Sequence, residues 1–288
     1  MRVARTPGEL GPGTRTVAIG SFDGVHVGHK RILDTAGADG SPTTVVTFWP
    51  HPRLVLGNQV ELLSTLERRL ELFDREGVDE VLVVEFTPDL ARYEPAEFAD
   101  AILRPIGAST IAVGENFRFG RGAAGTPEVL AGLGFEVEAV PLLHNISSSR
   151  IRACLRAGEI EAAARMLGRP PEVEGTVVPG FQRGGTLGYP TANLSAPPNL
   201  LIPANGIYAG ATLGHRAAIS IGVNPHYGGE ERSIEPYLLD FEGDLYGRRL
   251  VVELWRRLRD ERAFANEAEL VAQIARDIEE TRAAEPPV

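Results

Sequence analysis

The sequence predicts two domains in series. The first is an α/β domain on a parallel sheet, and the second is an antiparallel barrel or sandwich that ends in a helix. Three observations predict this. The chain has 288 residues, more than the roughly 100–200 usual for one domain. Up to about residue 150, β-branched runs alternate with stretches of helical spacing, the pattern of βαβ units. After Gly168-Arg169-Pro170-Pro171, strand-like runs follow one another through Gly/Pro/Asn-rich loops, with no helix-length segment between them.

The elements follow in order. Thr16–Phe22, Thr43–Phe48, Glu80–Phe86, Ser109–Val113 and Phe135–Val140 read as strands of the first domain. Thr65–Glu76 and Glu94–Leu103 read as helices, with Leu66, Leu70 and Phe73, then Phe98 and Ile102, at three- and four-residue spacing. Ser147–Ala157 and Glu159–Leu167 read as two helices parted by Gly158. Val173–Val178, Gly206–Leu213, Ala217–Gly222, Ile234–Phe241 and Arg249–Leu258 read as strands of the second domain, and Asn266–Glu280 as an amphipathic closing helix bearing Leu270, Ile274 and Ile278. The change of pattern places the domains at 1–168 and 172–288.

Composition narrows the function classes. A 43% hydrophobic and 24% charged chain is globular. The single cysteine, Cys154, excludes an intrachain disulfide and a cysteine-based zinc site. Met1–Thr16 lacks an apolar core, so no signal peptide and a cytoplasmic location are expected. A net charge of −10, with neither half basic, argues against nucleic-acid binding. An anionic ligand must then be held by local donors and a metal ion. The uncharged stretch Gly184–His215 is too rich in Gly, Pro, Asn and Thr to span a membrane.

The first chemical constellation follows the first strand: Gly20-Ser21-Phe22-Asp23-Gly24-Val25-His26-Val27-Gly28-His29. Two histidines three apart at a helix start share a face. Free backbone N–H groups there suit an anion, and Gly28 lets the backbone approach a phosphate. Imidazoles donate to phosphoryl oxygens as charge builds. Zinc fits less well, because the helical zinc motif spaces its histidines by four and adds a Glu. The pair alone also fits two surface histidines beside a turn. Three more segments lie at strand ends or helix starts: Thr47–Pro52 with His51, Gly114–Gly120 with Asn116, and Ile146–Arg152 with three serines and two arginines. Gly120–Gly125 matches a dinucleotide fingerprint but does not directly follow a strand.

Together these segments resemble the adenylyltransferase half of prokaryotic bifunctional riboflavin kinase/FAD synthetases, of the nucleotidyltransferase superfamily with a His-x-Gly-His signature. The resemblance implies a Rossmann-like α/β nucleotidyltransferase domain. It assigns His26 and His29 to catalysis on ATP phosphates. It places Gly20, Phe22, Asp23, Gly28 and Asn116 at the nucleotide, and Ser148, Ser149 and Arg152 at the departing pyrophosphate. Ser149 stands where the family more often has Thr.

The second constellation runs from Gly180 to Asn193. Glycines and an Arg ahead of Thr191-Ala192-Asn193 suit a loop that wraps phosphates, and a hydroxyl with an amide oxygen suits Mg²⁺. A ligand-free Gly/Pro-rich loop fits the same residues. Glu235 sits inside a strand, on the face shared by Tyr237 and Leu239, where it serves either as a general base or as a surface residue. With Asn205–Ala209, Gly222–Pro225, Asp244–Gly247 and Leu258–Glu261, these segments resemble the riboflavin kinase module over residues 174–280. The resemblance implies a six-stranded β-barrel, Gly180 and Gly188 at ATP, Thr191 and Asn193 at Mg²⁺, Glu235 as base for the ribityl 5′-hydroxyl, and Arg259 at the flavin. Gly185 replaces a usual basic residue, and His226-Tyr227 replaces a commoner Thr-Phe.

The reading is a bifunctional enzyme that phosphorylates riboflavin to FMN and then adenylylates FMN to FAD. Its small-molecule partners are riboflavin, FMN and ATP, its metal is Mg²⁺, and neither nucleic acid nor membrane is expected as a partner. An adenylyltransferase with a weakened or lost kinase is the alternative, and a non-catalytic flavin or nucleotide sensor is a third reading.

Overall fold

The computed structural model describes residues 1–38, 40–180, 189–223 and 232–288. Gly188, Gly185 and His226-Tyr227 therefore lie outside the described residues. The chain divides into two compact units, Met1–Ser147 and Ser148–Val288.

The first unit carries six parallel strands: β1 (Arg2–Ala4), β2 (Arg15–Ile19), β3 (Thr43–Trp49), β4 (Glu80–Glu85), β5 (Ala108–Gly114) and β6 (Glu136–Val140). Their order is β1-β4-β3-β2-β5-β6. The strands are apolar on both faces, because residues of alternating parity feed different cores. Val17, Ile19, Val46, Leu82, Ile111 and Val113 enter one core, and Ala18, Val45, Val81, Val83 and Ala112 enter the other. Helix α2 (Val27–Ala36) contributes Ile32 and Leu33 to the second core, and α4 (Leu66–Arg75) contributes Leu72 and Phe73. The remaining helices are α1 (Pro7–Leu10), α3 (Pro52–Val55), α5 (Pro95–Phe98, extended by a π turn to Leu103) and α6 (Pro127–Gly132). Strand order reverses between β2 and β5, and ligands of open parallel sheets bind outside the carboxyl ends of the strands at such a point.

The second unit opens with α7 (Ser148–Ala157) and α8 (Ile160–Leu167). A boundary at 168–171 was expected, but packing divides the chain earlier. The Leu155 carbonyl accepts the Ala204 amide at 2.9 Å, Gly158 lies against the Arg257 side chain, and α8 contacts β12. The change in sequence pattern marks where helices give way to strands.

The barrel closes in the order β10-β11-β8-β7-β12-β9, every neighbour antiparallel. Its strands are β7 (Glu172–Val178), β8 (Asn193–Ser195), β9 (Gly206–Thr212), β10 (His215–Val223), β11 (Arg232–Leu238) and β12 (Arg249–Arg259). Ile219, Ile221, Ile234, Leu238, Leu250, Val252 and Leu254 are buried by alternation. The closing helix, Glu267–Ala283, is N-capped by Asn266, whose Oδ1 accepts the Glu269 amide at 2.9 Å.

Candidate active sites

The segment 20–26 joins β2 to α2 under backbone strain. Phe22 has φ 47°, Gly24 83° and Val25 38°. A β-branched residue with positive φ is a true outlier, costing on the order of 1–3 kcal/mol, and persists only where surroundings over-determine it. Three things do so here. Phe22 and Val25 are fully buried in the second core, with Phe22 edge-on to Phe73 at 5.6 Å. The Val25 amide donates to the Phe22 carbonyl at 3.0 Å. The Asp23 carboxylate anchors the loop to residues 63–64.

Asp23, expected at the nucleotide, is 2% exposed. Its Oδ1 accepts the Leu63 amide at 3.0 Å and the Ser64 amide at 3.2 Å, while Ser64 Oγ accepts the Gly24 amide at 3.2 Å. An anion buried on backbone donors holds the loop from beneath, and it would repel a phosphate if it faced one.

The loop delivers His26 as the N-cap of α2. His29 N–H donates to His26 Nδ1 at 3.3 Å, and His26 N–H donates to His29 Nδ1 at 3.4 Å. The rings stack with centroids 3.6 Å apart. With both Nδ1 atoms accepting, each neutral ring carries its proton on Nε2. Gly28 leaves room for the His26 ring: a Cβ would stand 3.2 Å from His26 Cε1 and Nδ1, and the ring would have to give by a few tenths of an ångström. Gly20 lies under the Phe22 ring and Phe22 meets His29 edge-on at 5.2 Å, so both shape the loop. Asn116 is exposed beyond the end of β5 and folds over Gly114, where Ile32 of α2 also approaches. His26, His29, Gly28 and Asn116 thus gather where the strand order reverses. Gly120–Gly125 is not a strand-to-helix turn, since Phe119 and Gly125 bridge antiparallel. Ser148, Ser149 and Arg152 lie in the first turns of α7, at the head of the second unit. There Ser149 is exposed and Arg152 buried.

The second unit holds a cavity of about 310 Å³. Ile207, Ile219, Phe264, Leu270 and Ile274 form apolar wall, Tyr189 and Tyr237 meet edge-on at 5.6 Å, and Thr191, Glu235 and Glu261 bring polar groups. Alternation along β11 buries Ile234, Pro236 and Leu238 and turns Glu235 and Tyr237 to the cavity. Leu239, expected on that face, follows the end of β11 and is buried in a turn before Asp240, whose φ is 56°.

Arg259 lines the cavity, but its guanidinium is bound by Asp277 of the closing helix: Nε lies 3.0 Å from Oδ1 and Nη2 lies 2.7 Å from Oδ2. Its charge is matched by Asp277, so its established contact fastens the helix that forms the cavity wall. Glu261 is a residue that sequence reasoning quoted without a role. It is exposed overall, yet its Oε1 lies 2.0 Å from where a Gly222 Cβ would stand. Loss of water around the carboxyl raises its pKa, Arg232 and Asn205 pull it back, and the charge of Glu235 adds to the rise.

Thr191 opens onto this cavity, and Asn193 opens onto another cleft of about 420 Å³ with Gly180. A Cβ on Gly180 would stand 2.1 Å from Asn193 Nδ2, so glycine leaves the space that the amide occupies. Among the described residues no group of three or more His, Cys, Asp or Glu is arranged to hold a metal. A neutral hydroxyl and amide fit a hard cation that arrives already carrying phosphate oxygens.

Comparison with known proteins completes the picture. A riboflavin kinase family profile matches residues 167–284, and an FAD synthetase profile matches residues 12–153. A bifunctional riboflavin kinase/FMN adenylyltransferase of Listeria monocytogenes is 36% identical over 93% of this chain and 92% of its own length. The chain belongs to the bifunctional riboflavin kinase/FMN adenylyltransferase family. The Escherichia coli K12 member is 34% identical over 91% of this chain and 90% of its own. A crystal structure from Streptococcus pneumoniae, described as a macrolide-efflux protein, superposes with TM-score 0.87 at 32% identity, covering 97% of this chain and 98% of that one. Among the described residues of this chain, no helix is long and apolar enough to cross a membrane. Riboflavin kinase and FAD synthetase domains both use a nucleotide substrate, as the two families' chemistry requires.

Proposed function

We propose that the chain makes FAD from riboflavin in two ATP-using steps, each at a site of its own. The observation that carries this reading is the separation of the two constellations. The paired histidine cap stands at the β2/β5 reversal of the first unit, and the Glu235 cavity stands on the barrel of the second.

In the kinase step, the apolar wall and the tyrosines accept the flavin ring, and the ribityl chain lies toward Glu235. The Glu235 carboxylate takes the proton of the 5′-hydroxyl as that oxygen bonds to the γ-phosphorus of ATP. The bond from γ-phosphorus to the bridging oxygen breaks, and ADP leaves with the electron pair. Positioning supplies most of the rate, as in phosphoryl transfer generally. Thr191 and Asn193 would hold Mg²⁺, which when bound offsets phosphate charge. Gly180 keeps Asn193 in place, and Arg259 with Asp277 keeps the cavity wall in place.

In the adenylyltransferase step, a phosphate oxygen of FMN bonds to the α-phosphorus of a second ATP, and pyrophosphate leaves. The attacking oxygen is already anionic, so no base is needed. The Nε2–H groups of His26 and His29, and the N-terminal amides of α2, donate to phosphoryl oxygens as charge grows. Asn116 contacts the nucleotide. The resemblance assigns Ser148, Ser149 and Arg152 to the departing pyrophosphate. A cytoplasmic location accords with a lone free cysteine, Cys154.

Purified protein incubated with riboflavin, ATP and Mg²⁺ should form FMN first and FAD later, resolved by chromatography. FAD made only from added FMN would favour the reading with a lost kinase. Binding of both ligands with no product would favour the sensor.

A further inference from the structure

Arg69 lies inside α4 and is the largest fully buried side chain of the described residues, with 0% exposure. Its three guanidinium nitrogens have no hydrogen-bond partner among the described residues. The charge is answered by Asp23, with Nη2 3.6 Å from Oδ1, and the guanidinium carbon stands 5.8 Å from the centre of the Trp49 ring. Burial lowers the guanidinium's pKa from its ordinary value, and Asp23 opposes that. A buried cation facing a single carboxylate is a weak source of stability. It makes sense as a fixed charge aimed at that carboxylate.

We infer that Arg69 is a positioning residue for FMN adenylylation, acting through Asp23 to hold the strained segment 20–26 and thereby the stacked His26/His29 cap. Asp23 joins α4 and residues 63–64 to the loop at its base. Phe22 before it and Gly24 and Val25 after it are left-handed, and the loop leads directly into the cap. With Arg69 removed, Asp23 keeps its backbone donors but loses the positive charge that Arg69 holds 3.6 Å away. The loop relaxes, and the imidazole donors shift while the α2 amides still meet phosphate. The loss should therefore fall on turnover and not on binding.

This inference rests on the adenylyltransferase reading, and its test separates the two. Steady-state FMN adenylylation is measured for wild type, Arg69→Met and Arg69→Lys, with riboflavin phosphorylation by the same preparations as the fold control. Arg69→Met should lower kcat for FAD formation by about tenfold or more. Its KM for ATP and FMN, and the kinase rate, should stay within about twofold of wild type. Arg69→Lys, which keeps the charge, should recover most of kcat. Wild-type protein that forms no FAD overturns the functional reading itself. With wild type active, unchanged kcat in Arg69→Met overturns the inference. Equal losses in the Met and Lys variants, or loss of both activities together, overturn it too.

Discussion

Gly180→Ala tests the kinase site through one methyl group. The added Cβ would stand 2.1 Å from Asn193 Nδ2, 2.3 Å from Cγ and 2.7 Å from Oδ1. Comfortable contact begins near 3.5 Å, so the amide must retreat by roughly an ångström or more. The clashing group is the end of a side chain that faces a cleft, so it moves cheaply, and the fold should lose about 1 kcal/mol or less. Displacement by about 1 Å near the chemistry costs on the order of 10²-fold in rate, about 2.7 kcal/mol of transition-state stabilisation. Riboflavin phosphorylation should therefore drop about a hundredfold while the thermal transition barely moves. FAD formation from supplied FMN should be unchanged. A Gly180→Ala protein with wild-type phosphorylation turnover would refute the placement of Asn193 at the reacting phosphates.

Two further perturbations have signs worked from the structure. Gly28→Ala adds a good helix former to the first turn of α2, a gain of up to about 1 kcal/mol. Its Cβ nevertheless presses the His26 ring at 3.2 Å, so FAD formation should fall about tenfold without loss of stability. Unfolding and adenylylation assays on one preparation check both halves. Glu261→Gln removes a carboxyl whose folded pKa is raised. A raised folded pKa contributes stability below the unfolded value of about 4.3 and loses it as pH rises through the folded value. The Gln variant should therefore melt slightly above wild type at neutral pH, a small effect because the group is largely solvated, and the difference should vanish near pH 4. A lower melting temperature at neutral pH would contradict this account of the Glu261 environment.

Much of the fold was legible because apolar alternation reports it directly. Val17 to Ile19 and Val81 to Val84 feed two cores by parity, and Ile234 to Leu238 show one buried face. Two short strands were not legible. β1 buries only Ala4 of its three residues, and β8 is defined by Leu194 pairing with Val177 and Ile234, partners distant in sequence. The histidine cap was legible because its residues are local. The partners of Asp23 were not legible, because they lie at 63–64 and at Arg69, in a helix where Arg68 and Arg69 are both buried. The pairing of Arg259 with Asp277, 18 residues on, was not legible for the same reason. Pairings of opposite charge across such distances leave no periodic trace.

The central claim is two chemistries at two separate sites. The most direct measurement is the product chromatogram of His29→Ala and Glu235→Ala, each incubated with riboflavin, ATP and Mg²⁺, and separately with FMN. His29→Ala should accumulate FMN and make almost no FAD. Glu235→Ala should leave riboflavin unconverted yet turn supplied FMN into FAD at the wild-type rate. A folded variant in which either substitution abolishes both products would contradict the account.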